Sequence, residues 1–141
     1  MSIYLDASFL TPTLVREPVS EAVKAYLVGT GEELLVSEFA AAEVASALSR
    51  LVRMGLLTVA EGSMRLADFD TWRAATSTPT DVHPADVRLA HTYVRRFDLA
   101  LRAPDALHLA ITHRLNATLV TLDRRLERAA RGLGIAVEML S

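Results

Sequence analysis

Short apolar runs alternate with segments of helical spacing along this chain, and this alternation restricts the fold more than any other feature. The alternation of one short strand with one helix is typical of a parallel sheet that carries helices on both faces. We therefore predict an α/β fold with a short, mostly parallel central sheet of about 4–5 strands. Residues 77–84 are polar and interrupted by proline, which predicts a connection, with or without a short strand. The predicted strands cover residues 3–5, 34–36, 117–122 and 135–137, and the predicted helices cover residues 21–28, 38–54, 58–75, 84–96, 104–115 and 124–131.

Capping signals mark the starts of several predicted helices. Ser37 is a suitable N-cap for the helix that follows the second strand. Thr58 and Glu61, three residues apart, form a capping-box signature. Pro84 and Pro104 each suit the first turn of a helix, where the missing backbone N–H costs nothing.

The composition suits one domain with a single interior. With 141 residues, of which 51% are hydrophobic, the chain can bury a sizeable core, and we predict a single domain over residues 1–141. The chain contains no cysteine, which excludes a disulfide framework and a thiolate metal site. No apolar run reaches the ~20 residues that a membrane-spanning helix needs, so we expect a cytoplasmic protein that does not contact a membrane.

Four acidic residues could meet at one edge of the predicted sheet. Asp6 and Asp123 each follow a predicted strand directly. Because functional groups gather beyond the carboxyl ends of parallel strands, both side chains should lie at that edge. Asp105 follows Pro104 in the first turn of a helix, where a negative charge favours the positive end of the helix dipole. Glu43 lies within an apolar, alanine-rich helix, which indicates either that its side chain faces a solvent-filled groove or that it is buried with a partner.

Each of these acids also has a purely structural interpretation. The aspartates could end a strand or cap a helix, and Glu43 could pair with Arg50 or with an arginine of another helix. If the carboxylates instead lie a few ångströms apart, they repel each other, and a divalent cation would remove that repulsion. Oxygen ligands without cysteine or a histidine pair favour Mg²⁺ or Mn²⁺ over Zn²⁺.

Positive charge is concentrated in the second half of the chain. The net charge of −2 by itself argues against a nucleic-acid-binding protein. Residues 86–131 nevertheless contain nine arginines and five acidic residues. Arginine suits bidentate contacts with phosphate groups. The alternative interpretation is an ordinary solvated helical surface.

Several short segments match, in order, the motifs of one known family. Residues 1–8 form a predicted strand that ends in an acid, followed by a small residue and a serine, and in residues 37–44 a glutamate precedes an apolar helical turn. Residues 104–110 are the most specific segment, and residues 119–126 form a strand followed by Thr, one further residue and Asp. Residues 134–137 match a final strand. With these segments the chain resembles the PIN-domain nucleases over essentially its whole length, and its compact size is most similar to the VapC-type toxins of toxin–antitoxin pairs.

The resemblance implies an enzyme, a Mg²⁺-dependent endoribonuclease for which Mn²⁺ can substitute, in which metal-activated water hydrolyses RNA phosphodiesters. Ser8 and Thr121 are implied to orient the acids. Arg102, Arg124 and Arg125 are candidates for contacts with the phosphates of the RNA. The implied catalytic residues are Asp6, Glu43, Asp105 and Asp123, of which Asp6, Asp105 and Asp123 would hold the metal.

The resemblance also implies partners for the chain. Members of this family form homodimers, and a cognate antitoxin inserts a segment, often with a basic side chain, into the acidic groove. One departure from the family pattern concerns the fourth motif. Some relatives carry a further acid just after it, where this chain has Arg124 and Arg125, so the occupancy of a second metal position stays open.

Three other functions compete with this hypothesis. A phosphoacceptor receiver domain needs an adjacent acid pair at the first strand, but Leu5 and Ala7 flank Asp6, and the only lysine is Lys24. A haloacid-dehalogenase-like phosphatase needs a second aspartate at the position of Ser8. The third alternative is a catalytically silent PIN-like module that binds RNA or protein, and such a module would be expected to lose one or more of the acids.

Two further residues have a structural interpretation that we prefer. His108 lies one turn after Asp105 and could reach the edge of the site, but such a histidine is more often a satisfied residue beside a core helix. Trp72 continues an apolar stripe with Phe69 and Leu66, which predicts a core or dimer contact rather than a platform for stacking bases.

Overall fold

A computed structural model describes residues 1–140 and contains one sheet of five strands, all paired in parallel. The strands are β1 (Ser2–Leu5), β2 (Glu33–Ser37), β3 (Ser77–Thr80), β4 (Thr118–Thr121) and β5 (Val137–Met139). Their order in the sheet is β3-β2-β1-β4-β5, so the first strand of the chain lies at the centre. This confirms the predicted α/β fold with a parallel central sheet.

Helices connect the strands. They are α1 (Ala7–Leu10), α2 (Ser20–Gly29), α3 (Glu38–Arg53), α4 (Val59–Thr76), α5 (Pro84–Val94), α6 (Ala103–Leu115) and α7 (Arg124–Gly132), and short 3-10 helices cover Thr11–Thr13 and Phe97–Leu99. The predicted N-caps form: the Ser37 hydroxyl accepts from the Ala40 N–H at 2.9 Å, and Thr58 and Glu61 make both hydrogen bonds of a capping box at 3.0 Å. None of the described helices is both long and apolar enough to cross a membrane.

The structure differs from the prediction at the last strand and at helix α1. It also answers whether residues 77–84 contain a strand. The last strand begins at Val137 rather than at residue 135, because the Ile135 N–H donates to the Ala130 carbonyl at 2.9 Å and completes the end of α7. Gly134 makes this ending possible, since its φ of 72° lies in the left-handed region that glycine tolerates. Helix α1, which begins directly after Asp6, was not predicted. Within residues 77–84 a short strand, β3, does form.

The sheet is buried on both faces. Ile3 and Leu5 of β1 pack into an apolar cluster with α2, α3 and α4, whereas Tyr4 between them packs with α6 and α7 on the opposite face. This is the alternation that a strand imposes, because successive side chains point to opposite sides of the sheet. The predicted placement of helices on both faces is therefore confirmed.

The strand register aligns the carboxyl ends of the three central strands. Tyr4 of β1 is paired with Leu35 of β2 and with Leu119 of β4. Two residues beyond these paired positions, all three strands have reached their carboxyl ends. The polar residues brought to this carboxyl edge are Asp6, Ser37 and Thr121.

Candidate active site

Each of the four predicted acids is placed at the carboxyl edge by a different element. Asp6 is the residue between β1 and α1 and is 5% exposed. Asp123 follows β4 and is the N-cap of α7, where its Oδ1 accepts from the Arg125 N–H at 2.8 Å. Asp105 lies in the first turn of α6, as the Pro104–Asp105 pair predicts. Glu43 is carried by α3 and its carboxylate contacts a histidine of α6.

The Asp6 carboxylate is held by neutral donors. The Ser8 hydroxyl lies 3.0 Å from Asp6 Oδ1 and 2.9 Å from Oδ2, within hydrogen-bond distance of both oxygens. Ser8 also contacts the Thr121 hydroxyl at 3.3 Å, and Thr121 accepts from the Asp123 N–H at 3.0 Å. The two residues proposed to orient the acids thus connect the end of β1 to the end of β4.

The charges of the four acids disfavour one another. Burial raises the pKa of Asp6, and the charge of Asp123 raises it further, although the hydrogen bonds from Ser8 and Thr121 oppose the shift. Burial also raises the pKa of Asp105, and the charges of Asp123 and Glu43 raise it further, although the charge of Arg102 opposes the shift. A pKa that rises in this way means that the ionised carboxylates are destabilised in the folded protein and would be stabilised by a cation.

The donor chemistry of this edge fits a small hard cation. The available ligands are carboxylate oxygens, and Mg²⁺ usually takes only one or two of them directly while it keeps several waters. Among residues 1–140, however, no group of three or more acidic or histidine side chains is close enough to form an assembled metal site. The combination of Asp6, Asp105 and Asp123 as three direct ligands therefore stays a prediction.

Glu43 has a partner that differs from the expected one. No ion pair of Glu43 with an arginine is found in the described part of the chain; instead the carboxylate contacts His108 Nε2. His108 is 3% exposed and hydrogen-bonded on both ring nitrogens, because its Nδ1 lies 2.7 Å from the Tyr4 hydroxyl. The prediction of a satisfied histidine beside the core is confirmed, but sequence reasoning missed that one of its partners is the candidate catalytic glutamate.

Two polar residues of this region were also missed as neighbours of the site. The Tyr4 hydroxyl lies 2.8 Å from the Ser37 hydroxyl, and both side chains are fully buried. Burial raises the pKa of Tyr4 well above its usual range. The available signal was a hydroxyl-bearing side chain within the apolar run 3–5 and another directly after the apolar run 34–36, since a buried hydroxyl needs a partner.

The three predicted phosphate-binding arginines flank the acids. Arg102 is the N-cap residue of α6, its side chain is 85% exposed, and its Nε lies 3.9 Å from Asp105 Oδ2. Arg124 and Arg125 begin α7 directly after Asp123 and are exposed. The arginines are therefore available at the rim of the acidic edge rather than engaged in the core.

Comparisons with known proteins agree on one family. Residues 3–132 match the PIN domain. The chain is 34% identical over 139 residues to a curated protein named Ribonuclease VapC46 from Mycobacterium tuberculosis (strain ATCC 25618 / H37Rv), a match that covers 96% of this chain and 95% of the relative.

Solved structures show the same fold at lower identity. The structure of VapBC2 from Rickettsia felis, bound to a DNA fragment from its promoter, has a TM-score of 0.74 and 14% identity, with 100% of both chains covered. The structure of VapC20 from Mycobacterium tuberculosis, a toxin that cleaves the sarcin-ricin loop, has a TM-score of 0.72 and 15% identity, with 90% of this chain and 94% of the other covered.

Proposed function

This chain belongs to the PIN-domain family, and on that premise we propose that it is a divalent-metal-dependent endoribonuclease, the toxin of a VapBC-type toxin–antitoxin pair that acts in the cytoplasm. The observation that carries the proposal is the set of carboxylates at the carboxyl edge. Burial and mutual repulsion raise the pKa of two of them, Asp6 and Asp105. Such an arrangement costs stability unless a cation from outside the chain is bound.

The ion would be Mg²⁺, or Mn²⁺ in its place, held by Asp6, Asp105 and Asp123. When bound, such an ion stabilises the charge that develops on a phosphate during hydrolysis and lowers the pKa of a coordinated water. Ser8 supports the Asp6 carboxylate by donating a hydrogen bond, and Thr121 connects Ser8 to the backbone of Asp123.

Glu43 is the best candidate to orient the attacking water and to accept its proton. Its Oε1 is fixed by His108, and about a third of its side chain is exposed, at 32%, so Oε2 can face the substrate. Asp123 is less suited to this role, because its Oδ1 is already occupied by the backbone N–H groups of α7. In hydrolysis the water oxygen bonds to phosphorus, the bond to the leaving oxygen breaks, and that oxygen takes up a proton.

The exposed arginines at the rim suit the flanking phosphates of an RNA strand. Arg102, Arg124 and Arg125 surround the acids without entering the core. Their charge would offset the repulsion between the acidic edge and the RNA backbone.

Two protein partners belong to the proposal. The structures of similar fold include VapBC2 from Rickettsia felis and VapBC-1 from nontypeable Haemophilus influenzae. We therefore propose that a cognate antitoxin inserts a segment with a basic side chain into the acidic groove and that the chain forms a homodimer.

The alternative is a PIN-like module that binds RNA or protein without catalysis. The observation that favours it is the lack of an assembled group of three ligands among residues 1–140. The buried, mutually repelling acids argue against it, because a module without an ion would gain stability by losing them.

Cleavage of total RNA by the purified, antitoxin-free chain tests the proposal. We expect discrete fragments with Mg²⁺ or Mn²⁺, no fragments with EDTA, and a rate below about one hundredth of wild type for Asp6→Asn, because a charged ligand of the metal ion is lost. Asp98→Asn is the matched control, since Asp98 is an exposed acid whose one ion-pair partner among residues 1–140 is Arg96. Intact RNA under every condition, from folded protein, would establish the binding module instead.

A further inference from the structure

A buried chain of hydrogen bonds links the three elements that carry Asp6, Glu43 and Asp105. It runs from the Ser37 hydroxyl to the Tyr4 hydroxyl at 2.8 Å, from there to His108 Nδ1 at 2.7 Å, and from His108 Nε2 to the Glu43 carboxylate. The two hydroxyl-bearing side chains are fully buried and His108 is 3% exposed.

Aromatic rings enclose the histidine. The His108 ring lies 5.2 Å from the Phe39 ring and 5.7 Å from the Tyr4 ring, measured between centroids. Because the rings and the sheet exclude solvent, the polar atoms of this chain must satisfy one another.

The hydrogen bond from the Ala40 N–H to Ser37 sets the direction of all the other hydrogen bonds in this path. The Ala40 N–H can only donate, and it donates to the Ser37 hydroxyl oxygen at 2.9 Å. The Ser37 hydroxyl has one other partner in the described structure, the Tyr4 hydroxyl. If Tyr4 donated to Ser37, the proton of Ser37 would be buried without an acceptor, which is costly. Ser37 therefore donates to Tyr4, and Tyr4 in turn donates to His108 Nδ1.

The same direction defines the state of the histidine. Because Nδ1 accepts a hydrogen bond from the Tyr4 hydroxyl, Nδ1 carries no proton, and the ring proton is on Nε2, which donates a hydrogen bond to the Glu43 carboxylate. Every hydroxyl and ring nitrogen of this hydrogen-bond path then has a partner.

We propose that His108, with its proton fixed by Tyr4 and Ser37, is a positioning residue that holds the Glu43 carboxylate in one orientation at the acidic edge. The inference rests on the proposed function for its catalytic consequence, but not for the hydrogen-bond chain itself. The path of hydrogen bonds holds the Glu43 carboxylate in place because the path starts and ends on α3. Ser37 caps this helix, and Glu43 lies six residues further along it.

The closed path also sets the relative positions of the other acids. Tyr4 lies two residues before Asp6, and His108 lies three residues after Asp105, one turn along α6. A shift of α3 or α6 along the sheet would break the path. The chain of hydrogen bonds therefore fixes β1, α3 and α6 in the register that brings Asp6, Glu43 and Asp105 to one edge.

Nuclear magnetic resonance of the metal-free, RNA-free wild-type protein tests the first half of the proposal. The side-chain ¹⁵N shifts of His108 distinguish the two neutral tautomers. We expect a proton on Nε2 and none on Nδ1. A proton on Nδ1 in the wild-type protein would overturn the proposed direction, whatever the activity of the protein.

Tyr4→Phe tests the second half, since it removes the hydroxyl and keeps the ring. We expect kcat for RNA cleavage to fall about 10–100-fold with KM nearly unchanged, the size of effect seen when a hydrogen bond that supports the groups of an active site is lost. Tyr26→Phe is the matched control, because it removes a tyrosine hydroxyl that contacts Glu138 beside Ser2 and Thr118, at the amino ends of β1 and β4 and therefore away from the acids. Wild-type kcat in a folded Tyr4→Phe protein would refute the positioning role while leaving the nuclease intact. Lack of cleavage by the wild-type protein would instead count against the proposed function.

Discussion

Asp86 and Asp6 are both buried, but a charged side chain donates hydrogen bonds to Asp86, whereas neutral hydroxyls contact Asp6. Asp86 is 1% exposed and accepts from Arg114 Nε at 2.8 Å, from Arg114 Nη2 at 3.0 Å and from the His83 N–H at 2.8 Å. Asp6 is 5% exposed, and its side-chain donors are neutral hydroxyls.

The pKa shifts of the two carboxyls follow from these partners. Burial alone would raise the pKa of Asp86, but the hydrogen bonds from Arg114 and from the His83 N–H outweigh it, so the pKa is lowered. Burial raises the pKa of Asp6, and Asp123 adds to the shift.

These opposite pKa shifts indicate that ionised Asp86 stabilises the folded protein, whereas ionised Asp6 destabilises it. Asp86 and Arg114 join α5 to α6, and Arg114 also donates to the Asp81 carbonyl at 2.9 Å. Among residues 1–140, no arginine or lysine forms an ion pair with Asp6. A carboxylate that is buried without a cation of its own protein is the arrangement expected where an external ion or substrate completes the charge balance.

The largest expected difference between Asp86 and Asp6 is in the free energy of unfolding after each is replaced by asparagine. Asp86→Asn leaves the Arg114 guanidinium facing a neutral amide, and we expect the free energy of unfolding to fall by about 2–3 kcal/mol. Asp6→Asn relieves repulsion, and its free energy of unfolding should stay within about 1 kcal/mol of wild type or exceed it. Urea unfolding at neutral pH without divalent ions measures both. An equal loss in the two variants would mean that Asp6 is a structural acid as well.

A smaller effect should appear in the pH dependence of stability. The contribution of Asp86 is present above the ordinary carboxyl pKa and is lost as the pH falls, because its pKa is lowered in the folded state. The destabilisation from Asp6 and Asp105 is present at neutral pH and is relieved as the pH falls through their raised pKa values. The two effects oppose each other in the wild-type protein.

The double variant Asp6→Asn, Asp105→Asn removes only the second effect. We expect its free energy of unfolding to fall more steeply between pH 7 and acidic pH than that of wild type, as measured by urea unfolding at each pH. Equal slopes for the two proteins would show that the edge acids ionise normally and would remove the contrast with Asp86.

Most of the fold follows from signals that are local in the sequence. Strands β1, β2 and β4 follow from short apolar runs, and the capping box at Thr58 and the cap at Ser37 form as expected. The last strand is displaced because the end of α7 uses the Ile135 N–H, a choice made by helix ending rather than by β propensity. Helix α1 is one turn long and has no periodicity that a sequence pattern can reveal.

The sequence predicted which acids lie at the carboxyl edge, but it did not predict the partners of those acids. Asp6 and Asp123 follow strands, so the parallel sheet brings both to one edge. The contact between Tyr4 and His108 joins residues 104 positions apart, and the contact between His108 and Glu43 joins residues 65 positions apart. Such contacts depend on how α3 and α6 are rotated on the sheet, and spacing along the chain does not contain that information. For the same reason the sequence did not distinguish Asp86, whose partner Arg114 lies 28 positions away, from the acids of the edge.

Calorimetric titration of Mn²⁺ into the RNA-free, antitoxin-free protein tests the central claim, that the acids of the carboxyl edge form a cation site, most directly. Wild type and the control Asp98→Asn should bind Mn²⁺ alike, and binding should be lost in both Asp6→Asn and Asp105→Asn, because each removes a charged oxygen ligand. No detectable binding by folded wild-type protein, or undiminished binding in the two edge variants, would contradict the account.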